Sequence, residues 1–187
     1  MPSASAHVVV DGSQRDRVFN ISGANVTVRN LTVQNGKAPS GAGIYVGKNS
    51  QLTLSDVVIQ NNQATVEGGG GIQNEGALRV AKSTISNNRA TDKTDSDGGG
   101  IRNVGTLIIE NGTVIRDNKA SWGGGLWNDK NGTITLTDST IQNNQATKGR
   151  GGGIESNGTL SVTSSAIEAN SAQSDGGGVS NFSGQAT

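Results

Sequence analysis

The feature that most limits how this chain can fold is a repeat. The stretch GGGIQNEGALRVAKSTISNNRA, from Gly69 to Ala90, recurs as GGGIRNVGTLIIENGTVIRDNKA from Gly98, GGGLWNDKNGTITLTDSTIQNNQA from Gly123 and GGGIESNGTLSVTSSAIEANSA from Gly151. A degenerate copy, GAGIYVGKNSQLTLSDVVIQNNQA, opens at Gly41, and a short one, GGGVSN, at Gly176. The aliphatic residue after the glycines falls at Ile44, Ile72, Ile101, Leu126, Ile154 and Val179, so successive copies are 25 to 29 residues apart. A period of this size marks a stacked-repeat architecture, in which each unit contacts only its neighbours.

Within a unit the apolar residues alternate with polar ones, as at Ile72, then Leu78 and Val80, then Ile85. Period-two alternation in short runs punctuated by Gly and Asn predicts brief strands with one buried face. Amphipathic-helix spacing is absent from every window. One unit buries too few aliphatics to offset the entropy of ordering its backbone, so stability must come from in-register stacking. The expected fold is therefore all-β, a parallel β-helix with three short strands per coil and six complete coils. Stacking sets Val28, Leu54, Val80, Ile109, Leu136 and Val162 in one column, and Val33, Ile59, Ile85, Ile115, Ile141 and Ile167 in another.

Asparagines fall into columns as well. Asn62, Asn88, Asn118, Asn144 and Asn170 each lie three residues after the third-strand aliphatic, and Asn74, Asn103, Asn128 and Asn181 lie two after the first-strand one. Asn accepts the left-handed backbone of a tight corner, and stacked amides can hydrogen-bond from coil to coil. The ladder residues are thus expected to occupy the left-handed corners. Gly36 stands where the first coil would have Asn, so the ladder should begin one coil in.

Hydrophobic residues make up 31% of the chain and aromatics 3%, which suits a narrow aliphatic stack rather than a broad core. Fifteen basic and 15 acidic residues are scattered along it, with no stripe of the kind that binds nucleic acid and no run long enough to cross a membrane. Without cysteine there is neither disulfide nor thiolate chemistry. Residues 1–6 read as a flexible leader and 7–187 as a single domain with incomplete terminal coils. Val8 and Val10 belong to a lone third strand, Val179 and Asn181 to a first strand, and Ala186 to the start of a second. These ends are roughly complementary, and they predict either a module of a longer solenoid or a subunit that stacks head to tail on its own kind.

On the outward side of the first strand the residues are Tyr45, Gln73, Arg102, Trp127, Glu155 and Ser180. The glycines at 43, 71, 100, 125, 153 and 178 are expected to point outward as a smooth floor. Tyr45 and Trp127, with Trp122 at the corner, would stack on sugar rings there, giving a glycan-binding strip. A glycosidase usually brings two carboxyl groups to one groove, and Glu155 is the one acid of this column. The enzymatic alternative, a polysaccharide lyase or hydrolase around Arg102 and Glu155, therefore ranks below a non-catalytic role. Asp92, Asp95 and Asp97 carry oxygen ligands but lack the spacing of a calcium loop, so no metal or cofactor is expected.

GGGI followed by IxxN (Ile59 to Asn62 is one instance) resembles the GGA[ILV] and FxxN repeats of polymorphic outer-membrane proteins. It is still more similar to bacterial right-handed parallel β-helix repeat proteins, and the opening VVVDGSQRDRVFNISGANVTVRNLTVQNG is typical of how such domains begin. The resemblance covers nearly the whole chain. It implies a right-handed β-helix in an extracellular or cell-surface protein, often an adhesin or autotransporter passenger. Its partners would be surface glycans, the rest of a longer solenoid or further copies of itself.

Overall fold

A computed structural model describes residues 8–91 and 96–187. The described residues contain twenty-six short strands and no helix. All strand pairings are parallel and join residues one coil apart. The leader expected at residues 1–6 lies outside the described residues.

Four sheets run along the rod. First strands form a seven-stranded sheet, from Phe19–Ile21 through Ile44–Val46, Ile72–Asn74, Ile101–Asn103, Leu126–Asn128 and Ile154–Ser156 to Val179–Asn181. Second strands form a six-stranded sheet from Asn25–Arg29 to Thr159–Thr163, and third strands a seven-stranded one from Val8–Asp11 to Ala166–Glu168. The expected register holds. Val28, Leu54, Val80, Ile109, Leu136 and Val162 are consecutive partners. So are Val33, Ile59, Ile85, Ile115, Ile141 and Ile167. Six coils are complete, flanked by a leading third strand and a trailing first strand, and Ala186 bridges Leu160 where a second strand begins.

The fourth sheet is an addition to the three expected. It consists of two-residue strands, Lys37–Ala38, Gln63–Ala64, Arg89–Ala90, Lys119–Ala120, Gln145–Ala146 and Ser171–Ala172. Each turns one Ala inward, and Ala64, Ala90 and Ala120 form a small core of their own. A strand with a single inward residue shows no alternation, so periodicity cannot reveal it. The main core is aliphatic from end to end, with Ile44, Ile72, Ile101, Leu126 and Ile154 wholly buried in one file.

The asparagine ladder forms, beginning where expected. Asn62 Nδ2 donates to Asn88 Oδ1 at 2.9 Å, Asn88 to Asn118 at 3.1 Å, Asn118 to Asn144 at 3.0 Å and Asn144 to Asn170 at 3.0 Å. Each Oδ1 also accepts the backbone N–H of the ladder residue one coil earlier, and at the start the Gly36 N–H fills that place at 2.8 Å. One expectation is corrected. The left-handed residues are the ones just before the ladder, Asn61, Asn87, Asp117 and Asn143, with φ between 55° and 58°. Placing the turn one residue earlier directs the next side chain inward, where burial makes its amide bonds compulsory.

A second ladder runs Asn74, Asn103, Asn128 and then the Ser156 hydroxyl. A third, of hydroxyls, lies at the corner before the third strand. There Ser83 Oγ accepts from Val57 N–H, Thr113 Oγ1 from Ser83 N–H and Ser165 Oγ from Ser139 N–H.

Candidate functional site

The outward column of the first sheet holds the aromatic and charged side chains, so it is the natural place to look for chemistry. Pairing sets Tyr45, Gln73, Arg102, Trp127, Glu155 and Ser180 in consecutive coils. The smooth glycine floor expected beside them does not exist. A Cβ on Gly43, Gly71, Gly100, Gly125 or Gly153 would lie 2.9–3.1 Å from the Nδ2 of Asn62, Asn88, Asn118, Asn144 or Asn170 respectively. These glycines therefore face the asparagine ladder. Their missing side chain makes room for the amide and for the carbonyl of the next coil's glycine, which such a Cβ would approach to 2.6–2.7 Å, rather than for a ligand.

The glycine that opens each run has a different task. Gly123, Gly151 and Gly176 have φ of 56°, 65° and 63°, and a Cβ on any of them would come within 2.6–2.9 Å of the β-carbon of Trp127, Glu155 or Ser180 respectively. The left-handed turn folds the preceding corner over the outward column. Gln73 and Glu155 are consequently buried, at 0% and 2% exposure, on what alternation alone marks as the solvent side.

Arginines stack on the aromatic rings of this face and its corners. The Arg17 guanidinium lies 5.0 Å from the Tyr45 ring centre, and that of Arg102 4.8 Å from Trp127. Arg150 lies 5.6 Å from Trp122 and 3.8 Å from Phe182. Each of the three aromatics expected to bind sugar thus has an arginine over its ring. Such pairs contribute about 0.5–2 kcal/mol, more as they are desolvated. Burial and the Glu75 carboxylate push the Tyr45 hydroxyl up from its usual range.

Arg102 and Glu155 lie two coils apart with Trp127 between them, as the repeat places them. Each has a partner of its own. Arg102 Nε is 3.7 Å from Asp97 Oδ2, and Arg150 Nη2 is 3.7 Å from Glu155 Oε1. Both separations are too long for hydrogen bonds. Among the described residues, the buried side-chain atoms with no hydrogen-bond partner are Gln73 Nε2 and Oε1, Arg102 Nε, Arg150 Nε and Glu155 Oε2, all on this seam. Burial pushes the Glu155 carboxyl up to about 7, with Asp97 adding to the rise and Arg150 opposing it.

Asp92 and Asp95 lie outside the described residues, while Asp97 stands beside Arg102. Among the described residues no three acidic or histidine side chains cluster as metal ligands would. Sequence reasoning missed Arg17, Arg150 and Phe182. Their signal is weak, because each lies outside the strand alternation and meets its partner through a corner.

A family model for the right-handed beta helix region matches residues 17–187. No curated protein and no solved structure matches the chain.

Proposed function

The chain belongs to the right-handed β-helix family, and from that premise we propose that it is a non-catalytic structural and adhesive solenoid of the cell exterior. The observation that carries this reading is the use made of its polar side chains. Three hydrogen-bonded ladders and a line of arginine–aromatic pairs run along the axis and tie coil to coil. Such a rod is cohesive along its length and leaves its corners free to vary, which suits the display of a surface. The repeat GGGI with IxxN, similar to that of polymorphic outer-membrane proteins, supports placement at the cell surface.

Further solenoid stacked on an end, from the same chain as an adhesin module or from another copy as a fibre subunit, is favoured by exposed apolar strand residues there. Val8 is 56% exposed and Val179 38%. Electron microscopy and sedimentation over a concentration series separate rods from fibres. Protease treatment of intact source cells tests the location. Loss of the protein from intact cells is expected, and full protection inside them would overturn the surface reading.

A further inference from the structure

The two ends of the rod interrupt the coil at different points. At one end the third strand Val8–Asp11 stands on Leu31–Gln34 with no other strand in its coil. At the other, Val179–Asn181 supplies a first strand and Ala186 the start of a second, and no third strand follows among the described residues. The apolar files run out to both edges. Val10, Phe19, Val26 and Val28, and at the far end Val162 and Ile167, are half-buried, whereas Ile44, Leu52, Leu54 and Ile59 in the same files are covered. An unpaired strand edge over unfinished apolar files is a template for another chain.

The register that holds throughout the rod defines what a second copy meets there. Carried one step further, it sets Val9, Val10 and Asp11 of one copy on Ala166, Ile167 and Glu168 of another. It also sets Phe19, Asn20 and Ile21 on Val179, Ser180 and Asn181. The lone third strand then enters the coil whose first and second strands belong to the preceding copy.

Charge at the corner before the first sheet fits the same arrangement. Arg17 donates from Nε to Gly41 O at 3.1 Å and from Nη2 to Ser40 O at 3.0 Å, so its guanidinium covers that corner at one end. Backbone bonds carry the corner from Ser40 along the rod to Asp175, which is exposed at the other end. In-register stacking brings Arg17 against Asp175. Among the described residues neither has an ion pair. One contact opposes the join, because Asp11 falls beside Glu168. The Asp11 carboxylate already accepts from Gln34 Nε2 and Asn35 Nδ2, both at 2.8 Å, and from the Ser13 N–H at 2.7 Å.

We propose that the partner of each open end is the opposite end of a second copy, joined through a coil that the two copies build together, with Arg17 and Asp175 as its ionic contact. A partner of other origin would have to supply a lone third strand, a matching apolar file and a cation at that corner all at once. The chain's own N-terminal end carries the three together. This interface deepens the fibre-subunit form of the reading above and rests on it.

The test is electron microscopy and sedimentation of the purified chain and its variants. Seven first strands per copy at ~4.8 Å each give fibres an expected axial repeat of about 34 Å. Arg17→Asp and Asp175→Arg should each raise the concentration at which fibres form at least ~10-fold, and the two together should restore it. Glu168→Gln should lower it. Val179→Asp, which puts a charge into the shared core, should abolish fibres with the rod still folded by circular dichroism. Rods that stay single at every concentration, a different repeat, a double variant no better than the single ones, or full assembly by Val179→Asp would each overturn the proposal. Single rods that are protease-sensitive on intact cells would sink the shared coil and leave the surface reading standing. Fibres from a protein protected inside cells would do the reverse.

Discussion

Arg150 reaches Glu155 at 3.7 Å inside the corner that Gly151 folds over the first sheet, and one carboxylate oxygen there has no hydrogen-bond partner. A charge so placed is poorly solvated, and the carboxyl accordingly holds its proton to about pH 7 rather than 4.5.

Because the folded state binds this proton more tightly than the unfolded one, the stability it adds is fully present below pH 4.5. It is lost as pH rises through 7. The total is on the order of 3 kcal/mol at pH 8. Urea unfolding from pH 5 to 8 should show stability falling, and Glu155→Gln should flatten that fall and raise the midpoint at pH 8. An unchanged slope in the variant would rule out Glu155 as the cause.

Asn118 sits in the middle of its ladder, giving Nδ2 to Asn144 and to Ile85 O at 2.9 Å while its Oδ1 takes two donors from Asn88. Asn118→Ala orphans several buried groups at once and should cost about 3 kcal/mol or more. Asn118→Asp restores acceptors but not the donor, so it should remain destabilised. Wild-type denaturation midpoints in both would refute a supporting role for the ladder.

Gly100 and Gly23 separate close approach from backbone conformation. A Cβ on Gly100 would come within 2.7 Å of Gly125 O and 3.1 Å of Asn118 Nδ2, whereas at Gly23, with φ +64°, nothing lies within 4 Å. Gly100→Ala should cost about 2–3 kcal/mol through overpacking. Gly23→Ala should cost about 1–2 kcal/mol, from its left-handed backbone alone. Thermal melts of the pair decide the matter, and equal losses would mean that close approach does not set the glycine.

The Arg102–Trp127 stack is measurable by a double-mutant cycle with Arg102→Met and Trp127→Leu. A coupling of about 1 kcal/mol is expected at 4.8 Å and partial burial. Additive effects would show that the contact contributes nothing beyond packing.

Much was legible because stacking makes one coil's rule every coil's rule. The glycine runs, the period-two alternation and the spaced asparagines determined a parallel solenoid, its six complete coils, its aliphatic files and the start of its ladder at Asn62. Each of these depends on residues close in sequence or one repeat apart. Tertiary structure alone decided what the corners do. It turned Gly100 toward Asn118, and it moved the left-handed turn to Asp117. It also folded Gly151 over Glu155, burying a carboxylate that alternation puts in solvent. The pairing of Arg17 with Tyr45 and of Arg150 with Phe182 likewise arises where corners meet across coils. A local pattern carries the direction of a side chain along a strand. Where the backbone bends through positive φ, that direction is reset, and only the three-dimensional path of the corner says what covers what.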